Sequence, residues 1–263
     1  MNQFEQVARQ ASERAGQILR ERWLGRNRVE VKSSAIDLVT DTDRACEAAI
    51  LEIIGAAFPD HAILAEESGA RGSNEFQWIV DPLDGTTNFA HSYPHVGICL
   101  ALARAGETIF GLVHDPLGNE TFTASRGEGA ACNGRPIHVT ETPTLATSLL
   151  ATGFPYDRAL HADFYLSYFK AFMIRTHDIR RAGSAALDLC YVASGRVDSF
   201  WEWNLKPWDT SAGALIVSEA GGCVTDFQGK RFHPTGNQCL ATNGRIHAET
   251  LEVMKDIPRS GSW

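Results

Sequence analysis

The spacing of apolar residues along the first quarter of the chain predicts two amphipathic helices. In residues 3–24 the apolar positions recur every three or four residues, and Gly25 follows them. The same spacing recurs over residues 42–57. On the first helix the positions that share one face are Phe4, Val7, Ala8, Ala11, Ala15, Ile18 and Leu19. Both helices are therefore expected to cover a core with one face.

The pattern changes to short strands between residues 95 and 140. Four apolar runs in this stretch are separated by Gly, Asn and Pro, which is typical of an antiparallel meander. After residue 145, strands alternate with helical segments, and the predicted helices span 158–173, 183–194 and 209–220. We therefore expect an α+β part over residues 1–145 and an α/β part over residues 146–263, packed as one compact unit.

Composition and charge narrow the class of protein. The 263 residues are 44% hydrophobic and 21% charged, with a net charge of −8. This balance is typical of a globular chain, and the acidic charge makes nucleic acid an unlikely primary ligand. No stretch approaches the roughly 18 apolar residues of a membrane span, so no membrane partner is expected.

The cysteines and the first residues of the chain indicate a reducing compartment. The six cysteines form no C-x-x-C pair, so we expect small core residues and no zinc site. The first ten residues, MNQFEQVARQ, are polar and unlike a signal peptide. A cytoplasmic protein is expected.

The segment WIVDPLDGTTNF, residues 78–89, holds the first candidate chemistry. An apolar strand ends in Asp81 and Asp84, with Pro82 between them and Gly85 after them. Asp-Gly is a common turn signal, so an ordinary turn is the simplest alternative. Two carboxylates about 4 Å apart repel by roughly 4 kcal/mol at an effective dielectric of 20, unless a cation lies between them. The oxygen atoms of these carboxylates are the kind of ligand that Mg²⁺ prefers.

Other acids also lie where predicted elements begin or end. Asp41 and Asp43 lie at the beginning of the second helix, Glu66 ends a strand, and Asp209 begins a late helix. Helix N-caps are the alternative for one of the first two and for Asp209. Because a helix N-terminus also attracts phosphate, a phosphate bound through a metal would fit beside Asp209.

Two long motifs resemble the inositol monophosphatase family. They are DPLDGTTNF (residues 81–89) and WDTSAGALIVSEAGG (residues 208–222). The segments VKSSAIDLVTDTD, AEES, GEGAACNG and RRAGSAALDLCYVASGRVD support the resemblance, which covers nearly the whole chain. It implies the layered αβαβα sandwich of sugar phosphatases, two or three Mg²⁺ ions, sensitivity to lithium, and a homodimer.

The resemblance also implies roles for particular residues. The implied Mg²⁺ ligands are Glu66, Asp81, the carbonyl of Leu83, Asp84 and Asp209, with Asp81 bridging two ions. Thr86, paired with Asp43, resembles the group that orients or activates the attacking water, together with the metal near Glu66. The implied substrate contacts are Lys32, Asp84, Gly85, Thr86, Gly183, Ser184, Ala185 and Glu202.

These parts predict hydrolysis of a phosphate monoester by metal-activated water. An aspartyl-phosphate intermediate is the chemical alternative, but the family resemblance implies direct attack by water. Inositol 1-phosphate is the expected substrate. The same chemistry on histidinol phosphate, fructose 1,6-bisphosphate or 3′-phosphoadenosine 5′-phosphate is the alternative, and a regulatory binding protein that retains the fold is an alternative of another class.

Trp201 and Trp203 flank Glu202 and leave the substrate open. Tryptophans at such positions are more typical of a core or an interface than of stacking on a sugar or a base. The histidines have none of the spacings of a zinc site, so no catalytic role is assigned to them.

Overall fold

The computed structural model describes residues 3–25, 29–31 and 38–257 of the chain. In these ranges the backbone forms seven α-helices: α1 (Gln3–Arg22), α2 (Asp41–Ala57), α3 (Thr86–Ala90), α4 (Arg158–Met173), α5 (Ala185–Ala193), α6 (Pro207–Glu219) and α7 (His247–Lys255). A 3-10 turn spans Leu145–Thr147. The two helices predicted near the N-terminus are confirmed as α1 and α2.

Fifteen strands lie in the same ranges. The first nine are β1 (Val29–Val31), β2 (Leu38–Thr40), β3 (Ala62–Ala65), β4 (Gly69–Arg71), β5 (Phe76–Asp84), β6 (Gly97–Arg104), β7 (Glu107–Asp115), β8 (Glu120–Ser125) and β9 (Ala130–Cys132). The others are β10 (Arg135–Pro136), β11 (Leu149–Thr152), β12 (Asp178–Arg180), β13 (Ser199–Trp203), β14 (Cys223–Thr225) and β15 (Gln238–Thr242).

The strands form two large sheets and one small hairpin. The first sheet has eight strands in the order β10-β9-β8-β7-β6-β5-β3-β4, and the second has five in the order β12-β11-β13-β15-β14. Strands β5 to β9 pair antiparallel in sequence order, so the predicted meander is confirmed. The hairpin pairs β1 with β2.

Three apolar clusters fill the spaces between five layers of secondary structure. One lies between α1, α2 and the first sheet, with Trp78 and Ile50 buried at its centre. A second joins both sheets through α5 and α6. The third packs α4 and α7 on the outer face of the second sheet. The order helix, sheet, helix, sheet, helix confirms the predicted αβαβα sandwich.

The layer of α5 and α6 between the two sheets explains why some segments lack an alternation of apolar and polar residues. Strand β6 is buried at seven consecutive positions because helices cover both faces of the first sheet. Helix α5 is buried nearly all round because it lies between the two sheets. Because α5 and α6 contact both sheets, the parts 1–145 and 146–263 share one core, and their division into two units stays a prediction.

Small residues let α6 lie directly on the first sheet. A side chain at Gly111 of β7 would meet the backbone of Ala212 at 2.8 Å, and one at Gly213 would meet Leu189 of α5 at 2.7 Å. This close packing fixes the beginning of α6, and with it Asp209, against the end of β5.

The cysteines are free thiols, and Cys46, Cys99, Cys190 and Cys239 are buried, as expected of core residues. Of the helices in the described ranges, none is both long enough and apolar enough to span a bilayer.

Candidate active site

The candidate site begins where strand β5 becomes irregular. The pairing of β5 with β6 shifts register between Asp81 and Asp84, with Pro82 and Leu83 between them. The Leu83 side chain is buried in the core, and its backbone N–H donates to Asp81 Oδ1 at 2.9 Å. Gly85 follows with a φ of +94°, a conformation that favours glycine. The predicted turn is thus the end of a bulged strand.

Asp81 is almost fully enclosed, with 1% of its surface exposed. Burial raises its pKa well above the ordinary value, and the negative charges of Glu66, Asp84 and Asp209 raise it further. One backbone hydrogen bond, from Leu83, opposes this shift. The four carboxylates that the sequence singled out therefore lie within electrostatic reach of one another.

Asp84 is held by the beginning of helix α5. Its Oδ2 accepts hydrogen bonds from Ser184 Oγ at 2.6 Å and from the backbone N–H of Ala186 at 2.8 Å. Burial raises the pKa of Asp84 to about 6, although both hydrogen bonds oppose the rise. Ser184 also caps α5, because its Oγ accepts from the Leu187 N–H. The hydroxyl of Ser184 is thus directed at Asp84.

Two other elements, helix α6 and strand β3, carry the acids Asp209 and Glu66. Asp209 Oδ2 accepts from the backbone N–H of Lys206 at 2.6 Å, three residues earlier. Asp209 therefore lies in the first turn of α6 and is not the N-cap residue considered above. Burial and the charge of Asp84 raise the pKa of Asp209 well above its usual range. Glu66 directly follows β3, and its N–H donates to Val80 O at 3.1 Å, next to Asp81.

A hydrogen-bonded chain of three side chains lies beside the acids. Thr86 Oγ1 lies 2.9 Å from Asp43 Oδ1 and 3.2 Å from Leu83 O. Asp43 Oδ2 accepts from both the hydroxyl and the N–H of Thr40, at 2.5 and 2.8 Å. Thr40, rather than Asp41 or Asp43, is the N-cap of α2. Burial raises the pKa of Asp43, and the bonds from Thr40 and Thr86 oppose that rise.

Glu202 lies on β13, outside the set of four acids around Asp81. Burial raises its pKa well above the usual range, and the Arg181 guanidinium opposes that rise. The charges of Asp209 and Asp84 also act on it, which places Glu202 on the same side of the fold as the acids. A methyl group on Gly153 would overlap the Glu202 carboxylate, so glycine at 153 makes room for this side chain.

The other predicted contacts fall in three places. Gly183, with a φ of +94°, and buried Ala185 flank Ser184 at the beginning of α5. Lys32 lies outside the described residues. Trp201 is 3% exposed and packs on Phe172 with ring centroids 4.6 Å apart. Trp203 packs on Phe227 at 4.7 Å. Trp201 belongs to the third core cluster and the partly buried Trp203 packs against it, which confirms their interpretation as core residues.

Some residues near the site carry no signal in the sequence. Asp188 of α5 and His95 are both buried, with Asp188 Oδ1 3.6 Å from His95 Nε2. Burial raises the pKa of Asp188, and His95 opposes the rise. Asn88 bonds to segments far along the chain. These residues are separated by about a hundred positions, so only a pairing of distant segments reveals them.

The donor set fits a hard divalent cation. The residues around Asp81 offer carboxylate and carbonyl oxygens, and three acids raise its pKa while no basic side chain is among the groups that lower it. Such mutual repulsion is relieved by a cation with oxygen ligands, for which Mg²⁺ is suited. Among the described residues, no three Asp, Glu, His or Cys side chains already stand at ligand spacing. In the structure, one oxygen each of Asp84 and Asp209 is turned to protein donors.

The fold and site define a five-layered α/β protein with a group of carboxylates where strands β3 and β5 end and helix α6 begins. A sequence profile described as the inositol monophosphatase family matches residues 1–259. The chain belongs to the inositol monophosphatase family. This membership supports a hydrolase of the phosphatase class.

Particular relatives carry two kinds of name. The inositol-1-monophosphatase of Synechocystis sp. is 44% identical over 256 residues, covering 97% of this chain and 89% of the relative. The Nus factor SuhB of Pasteurella multocida is 42% identical over 258 residues, covering 97% of each chain. The structure of inositol monophosphatase from Anabaena (Nostoc) sp. superposes with a TM-score of 0.88 at 41% identity, covering 99% of this chain and 98% of that one.

Proposed function

We propose that this protein is a Mg²⁺-dependent phosphate monoester hydrolase whose main substrate is inositol 1-phosphate. The observation that carries the proposal is the convergence of Glu66, Asp84 and Asp209 on buried Asp81. With the Leu83 carbonyl, these residues would hold two or three Mg²⁺ ions. Such ions would supply charge neutralisation of the phosphate, a lowered pKa of bound water and stabilisation of the leaving oxygen.

Thr86 and Asp43 supply the proton acceptor in this proposal. By donating its own proton to Asp43 Oδ1, the Thr86 hydroxyl leaves its lone pairs directed at other donors, including a water molecule. The raised pKa of Asp43 makes its carboxylate a better proton acceptor than an exposed aspartate. Thr40 fixes the second oxygen of Asp43, so the carboxylate stays oriented toward Thr86. Water is thus the nucleophile, and no aspartate is phosphorylated.

Other groups of the site would bind the phosphate and the alcohol of the ester. Gly85 and Thr86 would offer backbone N–H groups to the phosphate, and Glu202 would accept a hydroxyl of the sugar. Lys32, Gly183 and Ala185 are proposed as further contacts. Because Ser184 Oγ already donates to Asp84, we assign Ser184 to the orientation of that carboxylate.

Phosphate release from a panel of esters tests this function. The panel holds myo-inositol 1-phosphate, histidinol phosphate, fructose 1,6-bisphosphate and 3′-phosphoadenosine 5′-phosphate, each with Mg²⁺ and with EDTA. A tenfold preference for inositol 1-phosphate, about 1.4 kcal/mol in the transition state, is expected. Preference for another ester changes the substrate and keeps the chemistry. No turnover of any ester with Mg²⁺ present contradicts the proposal.

Asp84→Asn is the informative variant, with Asp163→Asn as its control. Asp84 is one of the proposed ligands, whereas Asp163 is an exposed residue of α4. The first change should abolish Mg²⁺-dependent turnover and the second should leave it unchanged. Equal turnover of the Asp84 variant and the wild type would show that the acids are not the catalytic centre.

A binding role is the second candidate, and exposed apolar side chains favour it. Large apolar residues are exposed before, on and after helix α4, namely Tyr156, Leu160, Leu166, Met173 and Ile174. Exposed apolar patches commonly mark interaction surfaces. Some relatives are named as Nus factors, and a homodimer would also cover such a surface. Sedimentation of the purified protein tests the dimer, and capture of a macromolecule that survives both EDTA and Asp84→Asn would support a separate binding role.

A further inference from the structure

The side chain of Asn88 connects three backbone carbonyls from two distant parts of the chain. Its Nδ2 lies 2.8 Å from His95 O, 2.9 Å from Ala182 O and 3.2 Å from Gly183 O. Three acceptors around one atom identify that atom as the amide nitrogen, because an oxygen there would be repelled. The bonds to Ala182 and Gly183 span 94 and 95 residues.

Two glycines make this arrangement possible. A Cβ on Gly183 would lie 3.2 Å from Asn88 Nδ2 and 3.3 Å from its Oδ1. A Cβ on Gly85 would lie 3.0 Å from His95 O and 3.3 Å from Gly183 O. Both glycines have a φ of +94°. The amide of Asn88 is therefore packed between the turn that follows Asp84 and the loop that precedes α5.

The same loop also holds Asp84. Ser184 Oγ and the N–H of Ala186 bind Asp84 Oδ2, directly after the carbonyls that Asn88 binds. Asn88 itself lies on α3, four residues after Asp84. The turn and the loop are thus connected twice, once through Asp84 and once through Asn88. Loss of the second connection would leave Asp84 alone to set their separation.

The bonding of Asn88 differs from ordinary turn chemistry. Asparagine in turns commonly bonds to backbone groups a few residues away. No side chain caps the beginning of α3, and each of the three acceptors of Asn88 lies at least seven residues away. A local role in forming the short helix therefore does not account for these bonds.

We propose that Asn88 is a positioning residue that sets the distance between the Asp84–Gly85 turn and the loop 182–186, and thereby the rate of ester hydrolysis. This inference rests on the proposed function for its kinetic readout. A displacement of about 1 Å in the position of reacting groups costs on the order of 100-fold in rate. The effect is expected to be larger in kcat than in KM, because Asn88 itself has no assigned contact with the ester, although Gly183 and Ala185 of the loop are proposed contacts.

Asn88→Asp is the critical variant, because it keeps the shape and replaces the amide nitrogen with a carboxylate oxygen. That oxygen would face three carbonyls and open the gap between turn and loop. Asn88→Ala removes the bonds without adding repulsion. We therefore expect the isosteric variant to lose about 30- to 100-fold in kcat, the alanine variant to lose less, and KM to change by a smaller factor than kcat in both.

Asn74→Asp is the matched control. It adds the same charge at an exposed position, where the side-chain Oδ1 already accepts a hydrogen bond from Phe76 N. Its kcat and melting temperature should equal those of the wild type. All variants are assayed at least 15 °C below their own melting temperatures, so that unfolded protein does not lower the rate.

Hydrogen exchange supplies a readout that does not depend on turnover. Amides of residues 183–187 should exchange faster in both Asn88 variants than in the wild type and in Asn74→Asp. If Asn88→Asp does not fold, Asn88→Ala and Asn88→Ser are compared in the same two measurements.

The outcomes separate this inference from the proposed function. An active wild type with Asn88→Asp within twofold of it in kcat overturns the positioning role and leaves the phosphatase proposal intact. An alanine variant slower than the aspartate variant also overturns it, since the amide donors would then not be the cause. A wild type that hydrolyses no ester overturns the proposed function, and unchanged exchange at residues 183–187 then overturns the positioning role as well.

Discussion

Thr86 Oγ1 and Asp43 Oδ1 lie 2.9 Å apart, although 43 residues separate them in the chain. The bond joins the short helix after strand β5 to the first turn of α2. It brings a hydroxyl with free lone pairs to the edge of the group of acids around Asp81. The proposed proton transfer depends on this one contact between two elements.

Replacing Thr86 with alanine should lower kcat about 100-fold, the lower end of what a positioned proton acceptor contributes. Thr86→Ser keeps the hydroxyl and should stay within about tenfold of the wild type. Steady-state rates on inositol 1-phosphate measure both. The exposed neighbour Thr87 provides the control, and Thr87→Ala should be fully active. A fully active Thr86→Ala would remove Thr86 and Asp43 from the proposed chemistry.

Mg²⁺ should raise the melting temperature of the wild type. Burial and the charges of the neighbouring carboxylates raise the pKa of Asp81, so its ionised form destabilises the folded state at neutral pH when no cation is bound. At about 100 times its dissociation constant, a bound ion adds about 2.7 kcal/mol, which corresponds to a rise of about 5–10 °C. Differential scanning calorimetry with Mg²⁺ and with EDTA measures the difference.

Asp81→Asn should show the opposite pattern. Without metal this variant should melt at or above the wild-type temperature, because one buried negative charge is gone. With Mg²⁺ its melting temperature should rise far less than that of the wild type. A variant that gains as much from Mg²⁺ as the wild type would place the metal elsewhere.

Gly153→Ala should impair substrate binding without unfolding the protein. The added methyl group would overlap the end of the Glu202 side chain, which can turn away, and the backbone at residue 153 is not left-handed. We expect KM for inositol 1-phosphate to rise about tenfold, as for one lost hydrogen bond to a charged group. Gly55→Ala, on α2, where an added Cβ would meet only Arg71 Nη2 at 4.0 Å, is the control and should change nothing in KM. An unchanged KM in Gly153→Ala would argue against Glu202 as a substrate contact.

Protonation of His114 should destabilise the fold as the pH falls. His114, which lies on β7 and packs against α1, is 3% exposed, and burial lowers its pKa despite the nearby charges of Glu13 and Asp115. Since the unfolded chain titrates near pH 6.5 and the folded chain below it, the unfolded state binds more protons between these values. Stability should therefore fall in that window by up to about 1.4 kcal/mol per pH unit.

The contribution of His114 to stability is the difference in unfolding free energy between the wild type and a variant without the histidine. Urea unfolding of the wild type and of His114→Gln is compared from pH 8 to pH 5, with Mg²⁺ present to keep the acidic site constant. The wild type should lose stability relative to the variant as the pH falls below 6.5. A constant difference over the whole range would contradict a lowered pKa for His114.

Local patterns in the sequence predict most of the elements. The helices α1 and α2 follow from apolar spacing, and the meander β6 to β9 follows from short apolar runs between turn residues. Capping was harder to predict. Either of two aspartates was a candidate N-cap of α2, yet Thr40 takes this position and Asp43 accepts its hydrogen bonds. The choice depends on backbone angles at the end of β2, which residue types alone do not fix.

By itself, the sequence determined the chemical character of the site: an apolar strand that ends in two aspartates, with further acids at the ends of other elements. Only the tertiary structure decided which atoms meet. Segments that lie far apart in the chain are joined by hydrogen bonds from Thr86 to Asp43, from Ser184 to Asp84 and from Asn88 to Ala182. Local patterns cannot encode such distances, because these depend on how the helices pack against the two sheets.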